Sequence, residues 1–234
     1  MRRIGLLVTV LIAMSVLAGC QASSGGGSDA RVTTDVAANI DEYAVERVGI
    51  LGYVNLTGEK EAEQLVGYVT RAMAETGRYQ FFGLDDVERS VGRLGLDSDY
   101  NRCLETWKKV RKVDPANVAQ LLEALEYDAV IGIEVNQWSE LKIDPNQEGT
   151  SDTTVGLKVE MFAADGTLLW SASHQKIEKS APYYPSFNTR ATAGGEARTT
   201  SSGAVPEPPV IEKVALDAAN EVAATLPVIG GGAS

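Results

Sequence analysis

Histidine and cysteine are almost missing from this chain: its 234 residues include one histidine, His174, and two cysteines, Cys20 and Cys103. Metal centres, nucleophilic sites and acid–base sites lean heavily on these side chains, so little is available to build one. His174 has no Cys, Asp or second His at ligand spacing, and its alternating neighbourhood reads as a surface or sheet-edge position. Basic charge is also in deficit, with 21 Lys and Arg against 32 Asp and Glu and a net charge of −11. That balance argues against binding nucleic acid through its phosphates and against attraction to anionic lipid by a basic patch. No carboxylate spacing singles out an acid–base pair, and capping with the helix dipole accounts for Asp85-Asp86. A phosphate-binding loop fails on spacing: five residues separate Gly52 from Gly58, Glu59 intervenes before Lys60, and neither Ser nor Thr follows the lysine. The expectation is therefore a non-enzymatic protein with no cofactor and no metal. Long apolar runs are missing too. The longest uncharged one, from Ile4, is about 16 residues, short of the roughly 20 that span a bilayer.

What the first residues do contain is a basic start at Arg2-Arg3, a short apolar stretch and small residues at its end, the layout of a secretory signal peptide. Leu17-Ala18-Gly19-Cys20 resembles the lipobox of bacterial lipoproteins. That resemblance implies cleavage before Cys20, loss of residues 1–19, and acylation of Cys20 by chains such as palmitate. Gln21, rather than Asp, follows the cysteine, as in lipoproteins sent to the outer membrane and facing the periplasm. The remaining 215 residues would carry 19 basic and 32 acidic groups, so lipid and not surface charge would hold the chain to the bilayer. Residues 20–44 read as the lipidated N-terminus and a flexible tether, on the strength of the Gly/Ser-rich stretch Ala22–Asp29. With Cys20 acylated, Cys103 reads as a small buried apolar side chain, the alternative being a disulfide between chains.

The folded part is expected over 45–228, followed by a flexible tail at 229–234. Val45–Leu56 is rich in β-branched residues and reads as a buried strand. Leu65, Val66, Val69, Ala72 and Met73 then stand at helical spacing before a stop at Gly77. Arg78–Phe82 reads as a second strand, and Leu84–Gly95 as a helix with Asp85 and Glu88 in capping-box positions. The stretch Leu96–Val113 is less regular, a helical insert folded against the core by Cys103 and Trp107. Asp114-Pro115 begins another helix, Tyr127–Trp138 is a strong strand, and Asp165-Gly166 joins two further alternating strands. The stretch 179–209 is rich in Ser, Thr, Gly, Ala and Pro and shows neither helical nor strand period, so it reads as disordered or as a functional loop. In it, Tyr183 and Tyr184 are bracketed by prolines and followed by Phe187. These rings either contact a partner or pack back onto the domain. A helix stripe from Ile211 to Leu226 closes the chain. This alternation predicts one α/β domain, a mixed sheet with helices packed on it.

The run from Val45 to Leu96 resembles the opening of periplasmic lipoproteins related to the curli secretion lipoprotein CsgG, a group that includes LpoB and the TolB N-terminal domain. It has a strand, Asn55-x-Thr57-Gly58, a helix, Gly77-Arg78 before an aromatic strand, and a helix ending in Gly95-Leu96. The strand after Leu125, the hairpin Asp165–Ser173 with Trp170, and the helix ending at Leu226-Pro227 also resemble that group. The resemblance implies a single domain of that type and a membrane-anchored, non-enzymatic protein-interaction module in secretion or cell-wall assembly. Its partners would be the bilayer, an envelope protein and, through a sheet edge, a second copy. The alternative is a small-ligand or glycan-binding lipoprotein accessory to a transporter. The 179–209 loop lacks alternating apolar residues, so a membrane channel is not expected from the chain alone.

Overall fold

The computed structural model describes residues 31–191, 197–202 and 204–228, with the side chains of 186–203 outside the description. The signal peptide expected at 1–19, Cys20 and the tail at 229–234 lie outside the described residues. Among those described, six strands form one mixed sheet: β1 (Thr33–Val36), β2 (Arg47–Asn55), β3 (Gln80–Phe82), β4 (Ala129–Leu141), β5 (Asp152–Ala163) and β6 (Leu168–Lys179). Their spatial order is β1-β6-β5-β4-β2-β3. β3 and β4 run parallel to β2, whereas the other pairings are antiparallel.

Helix α1 (Gln64–Glu75) and the C-terminal α5 (Ile211–Ala224) cover one face. Their stripes meet Ile131, Ile133 and Val135 of β4 and Val155, Leu157, Val159 and Met161 of β5 in the larger core. Helices α2 (Leu84–Leu94), α3 (Asp97–Val110) and α4 (Pro115–Leu125) cover the β2–β4 part of the other face, where Leu51, Val130 and Phe162 join a second core. Being buried on both faces, β2 and β4 read as continuous apolar runs; β5 alternates because its far half carries polar side chains on the second face.

Four expectations need correction. The segment 20–44 is not all tether, because Thr33–Val36 pairs with Ser173–Trp170 at the sheet edge. Leu96–Val113 is more regular than expected: it holds the 14-residue helix α3, whose stripe Tyr100, Cys103 and Trp107 is narrow and aromatic rather than aliphatic. Its indole lies against Gly132, where a Cβ would stand 2.2 Å from the ring. Within 179–209, β7 (Ser186–Ala191) and β8 (Ala197–Ser202) form an antiparallel hairpin. Its Thr content favours strand, but Ser, Gly and Ala hide the period of two. The N-cap of α2 is Gly83 with no side-chain cap, so Asp85 and Glu88 form no capping box. The cap at α4 is as expected, with Asn117 N donating to Asp114 Oδ1 at 3.0 Å.

Candidate functional site

Two places in this fold gather exposed or polar side chains away from the cores. The first lies at the carboxyl end of β2. β2 leads into α1 on one face, and its parallel neighbour β3 leads into α2 on the other. Where adjacent parallel strands send their connections to opposite faces, a crevice opens between the departing helices. Here it holds a cavity of about 430 Å³, with walls from Tyr53, Tyr100 and Leu104 and with Glu63, Glu88 and Lys108 at the rim. A second hollow of about 640 Å³ continues between α1 and α2 and shares Tyr53, Glu63 and Leu84 with the first.

A β-bulge sets the aim of Tyr53. The register of β2 on β4 slips between Ile50 and Gly52. Ile50 therefore faces the larger core and Leu51 the second, while Tyr53 turns back toward the first. Without that one-residue shift, the side chains beyond it would exchange faces. Gly52 lets α3 approach, since a Cβ there would meet Leu104 Cδ1 at 2.4 Å. Beyond the strand the chain turns by local bonds. Asn55 Oδ1 accepts from Thr57 N at 3.0 Å and Thr57 Oγ1 at 2.7 Å, and Asn55 Nδ2 donates to Glu59 O at 2.7 Å. Gly58 takes φ +79° there. The Asn-x-Thr-Gly motif thus builds the lip of the crevice and carries no chemistry itself.

Burial pushes the titration of Tyr53 upward, aided by a hydrogen bond to Glu63 and the negative charges of Glu63 and Glu88. Burial raises Tyr100 further, and its hydroxyl donates to Leu51 O at 2.8 Å. Both phenols stay neutral at ordinary pH, so the carboxylates decide the sign of the crevice.

The second place is the far end of the long strands. β4 ends at Leu141 opposite Asp152, and the loops on either side meet there. Tyr183 and Gly149 exchange backbone hydrogen bonds of 2.7 and 3.1 Å, and the Tyr183 hydroxyl donates to Pro145 O at 3.3 Å. Ser151 Oγ donates to Pro206 O at 2.6 Å, Thr153 Oγ1 donates to Pro209 O, and Lys142 pairs with Glu207. The two readings of the tyrosine pair therefore divide: Tyr183 is buried and pins the loop, whereas Tyr184 is 71% exposed. Leu141 at 66% and Val210 at 64% are exposed at the same end. Phe187 lies on β7, and its side chain is outside the description.

His174 is not a surface residue. Its side chain is 1% exposed between β6 and α5, with Nε2 2.7 Å from Glu221 Oε2, and Lys176 Nζ lies 2.6 Å from the other carboxylate oxygen. Burial, with help from Lys176, lowers its titration against the opposing pull of Glu221. The imidazole is thus shut in, whereas the Glu221 side chain is 41% exposed. Sequence alternation placed His174 on the apolar face together with Ala172 and Trp170, and that was the overlooked signal. Cys103 is fully buried, and burial pushes its thiol up to about 11, which leaves it a weak nucleophile. Among the described residues, no three His, Cys, Asp or Glu side chains are grouped to hold a metal ion, and no helix is long and apolar enough to cross a membrane.

No family model matches the chain, and no curated protein sequence matches it. Among solved structures it is similar to the lipoprotein GNA1162 from Neisseria meningitidis, with 20% identity over 58% of this chain and 85% of that one and a TM-score of 0.39. It is similar to the PelC dodecamer from Paraburkholderia phytofirmans, with 13% identity over 82% of this chain and 94% of that one and a TM-score of 0.42. A third is the LpoB C-terminal domain from Salmonella enterica, with 12% identity, 57% of this chain and 83% of that one covered, and a TM-score of 0.36. The solved structures similar to this mixed α+β domain thus include a bacterial lipoprotein.

Proposed function

We propose that the protein is an envelope lipoprotein, tethered through an acylated Cys20, whose single domain docks on an envelope protein without catalysing a reaction. The observation that carries the docking is the loop system at the far end of the sheet. Tyr183 is fixed beneath it, and Tyr184, Leu141 and Val210 stand exposed together beyond it. A rigidly backed, exposed tyrosine beside aliphatic side chains is suited to partner contact, because little side-chain entropy is lost on binding. The tether follows from Leu17-Ala18-Gly19-Cys20 and the Gly/Ser stretch after it, and outer-membrane placement from Gln21. On the motifs Asn55-x-Thr57-Gly58 and Asp165-Gly166 with Trp170, we read the domain as related to the CsgG, LpoB and TolB N-terminal group.

Fractionation tests the tether: Cys20→Ser moves the protein from the membrane to the soluble fraction, and retention in the membrane would refute acyl anchoring. Photocrosslinking tests the docking. A photoreactive residue at 184 gives a discrete adduct in intact cells and one at Glu123, an exposed position beside the β5–β6 turn at the opposite end of the sheet, does not. Equal labelling at the two positions would refute docking through this end.

The crevice beside β2 supports a second reading, small-ligand binding, because a cavity with a few polar groups at strand ends is where such ligands sit. Native mass spectrometry of protein purified from envelopes then shows a bound small molecule that Leu104→Phe, which fills the cavity, displaces. A clean apo mass in both proteins would refute this reading.

A further inference from the structure

We propose that the crevice at the carboxyl end of β2 binds a compact organic cation, an ammonium group carried on an apolar stem. This rests on the ligand-binding reading of the crevice and adds the class of ligand.

The cavity is a product of the topology, lying where β2 and β3 diverge to opposite faces, and its volume of about 430 Å³ is ligand-sized. Its lining mixes apolar and polar groups: Leu104 lies over Gly52, Leu84 stands nearby, and Tyr53 and Tyr100 add aromatic side chains beside Asn55. Its rim carries carboxylates from both sides, Glu63 ahead of α1 and Glu88 on α2. Glu63 stands beside the Tyr53 hydroxyl. Glu88 makes neither an ion pair nor a hydrogen bond among the described residues. Lys108, the one cation at this rim, lies 3.6 Å from Glu105, one turn back on its own helix. An exposed, unpaired carboxylate beside aromatic side chains attracts positive charge, and an aromatic lining suits an ammonium group on an apolar stem.

A bare divalent metal ion fits this lining poorly. Calcium takes roughly six to eight oxygen ligands, and no group of three His, Cys, Asp or Glu stands here among the described residues. An anion fits worse, because it would face Glu63 and Glu88 while Lys108 is engaged elsewhere. An organic cation uses both parts of the cavity, its stem on Leu104 and the rings and its head at Glu88.

Three four-carbon probes of matched length separate the possibilities: 1,4-diaminobutane, 1,4-butanediol and succinate. They are titrated into the full chain, held in mild detergent, while amide signals of Gly52 and Tyr53 and labelled tyrosine rings are followed by NMR. The diamine is expected to give saturable shifts at these positions, and the diol and succinate none. Glu88→Gln weakens the diamine roughly tenfold, the loss of about one charge-assisted contact. Glu126→Gln, at the opposite end of the sheet beside Arg47, leaves it unchanged. Equal shifts from the diol or succinate, or indifference to Glu88→Gln, would overturn the cation assignment while leaving the crevice a ligand site. Silence from all three probes also overturns it. The bound-mass experiment with Leu104→Phe then decides separately whether the crevice binds any ligand.

Discussion

Gly132 shows how one missing side chain places a helix. The Trp107 indole occupies the space where a Cβ would stand, its Nε1–H donates to the buried Glu160 carboxylate at 3.1 Å, and Arg111 lies over the ring at 5.3 Å. Lys158 holds the other oxygen of Glu160 at 2.6 Å, so the buried charge is paired from both sides. Gly132→Ala forces a rigid ring to move and is expected to cost about 3 kcal/mol, the upper part of the overpacking range; urea unfolding measures it. His174 makes a second prediction at this scale. Its folded-state titration is lowered by burial, so the neutral ring is the form the fold prefers, while the unfolded chain takes up a proton near pH 6.5. Its contribution is therefore full above that pH and is lost as pH falls toward its folded value. Glu221 and Lys176 are the charged groups facing it. The urea midpoint falls between pH 7.5 and 5.5, and His174→Gln flattens that fall; an unchanged slope would contradict the assignment.

Element by element, caps and turns behave as local chemistry dictates. Asp114→Ala removes the side-chain acceptor at the start of α4 and is expected to cost about 1 kcal/mol. The two adjacent tyrosines separate structure from contact. Tyr183→Ala frees the loop that Gly149 and Pro145 hold, and limited proteolysis within 180–210 accelerates; Tyr184→Ala leaves stability within about 0.5 kcal/mol. Equal proteolysis of both variants would contradict this division.

Strands β2 to β6 and helices α1, α2, α4 and α5 were legible because their apolar residues form continuous runs or repeat at one clear period and their ends carry Asp114-Pro115, Gly77, Gly95 or Asp165-Gly166. α3 was less so, although Tyr100, Cys103, Leu104 and Trp107 stand at helical spacing. Its stripe is narrow, rich in rings with polar tips, and flanked by charge. The β7–β8 hairpin escaped because its run of Ser, Thr and Ala shows no alternation of apolar and polar residues. The crevice was also hidden. It arises from two strands departing to opposite faces and from a bulge at Gly52, both facts of topology that no local motif announces.

For the whole molecule, one domain packs two cores on either side of a mixed sheet and leaves Leu141, Tyr184 and Val210 exposed at one end. β1 runs antiparallel to β6, so the chain entering at Thr33 comes from the direction of the Lys179 end, where Leu141 and Tyr184 are exposed. On the proposed acylation of Cys20, a tether from there to Thr33 would span at most about 45 Å when fully extended and would limit partners of this end to those near the bilayer. The decisive measurement is photocrosslinking at position 184 in intact cells, made in chains with Cys20 and with Cys20→Ser. One discrete protein adduct is expected, and Cys20→Ser abolishes or strongly reduces it. No adduct at 184 in the tethered chain, or the same adduct at full yield without Cys20, would contradict tethered docking.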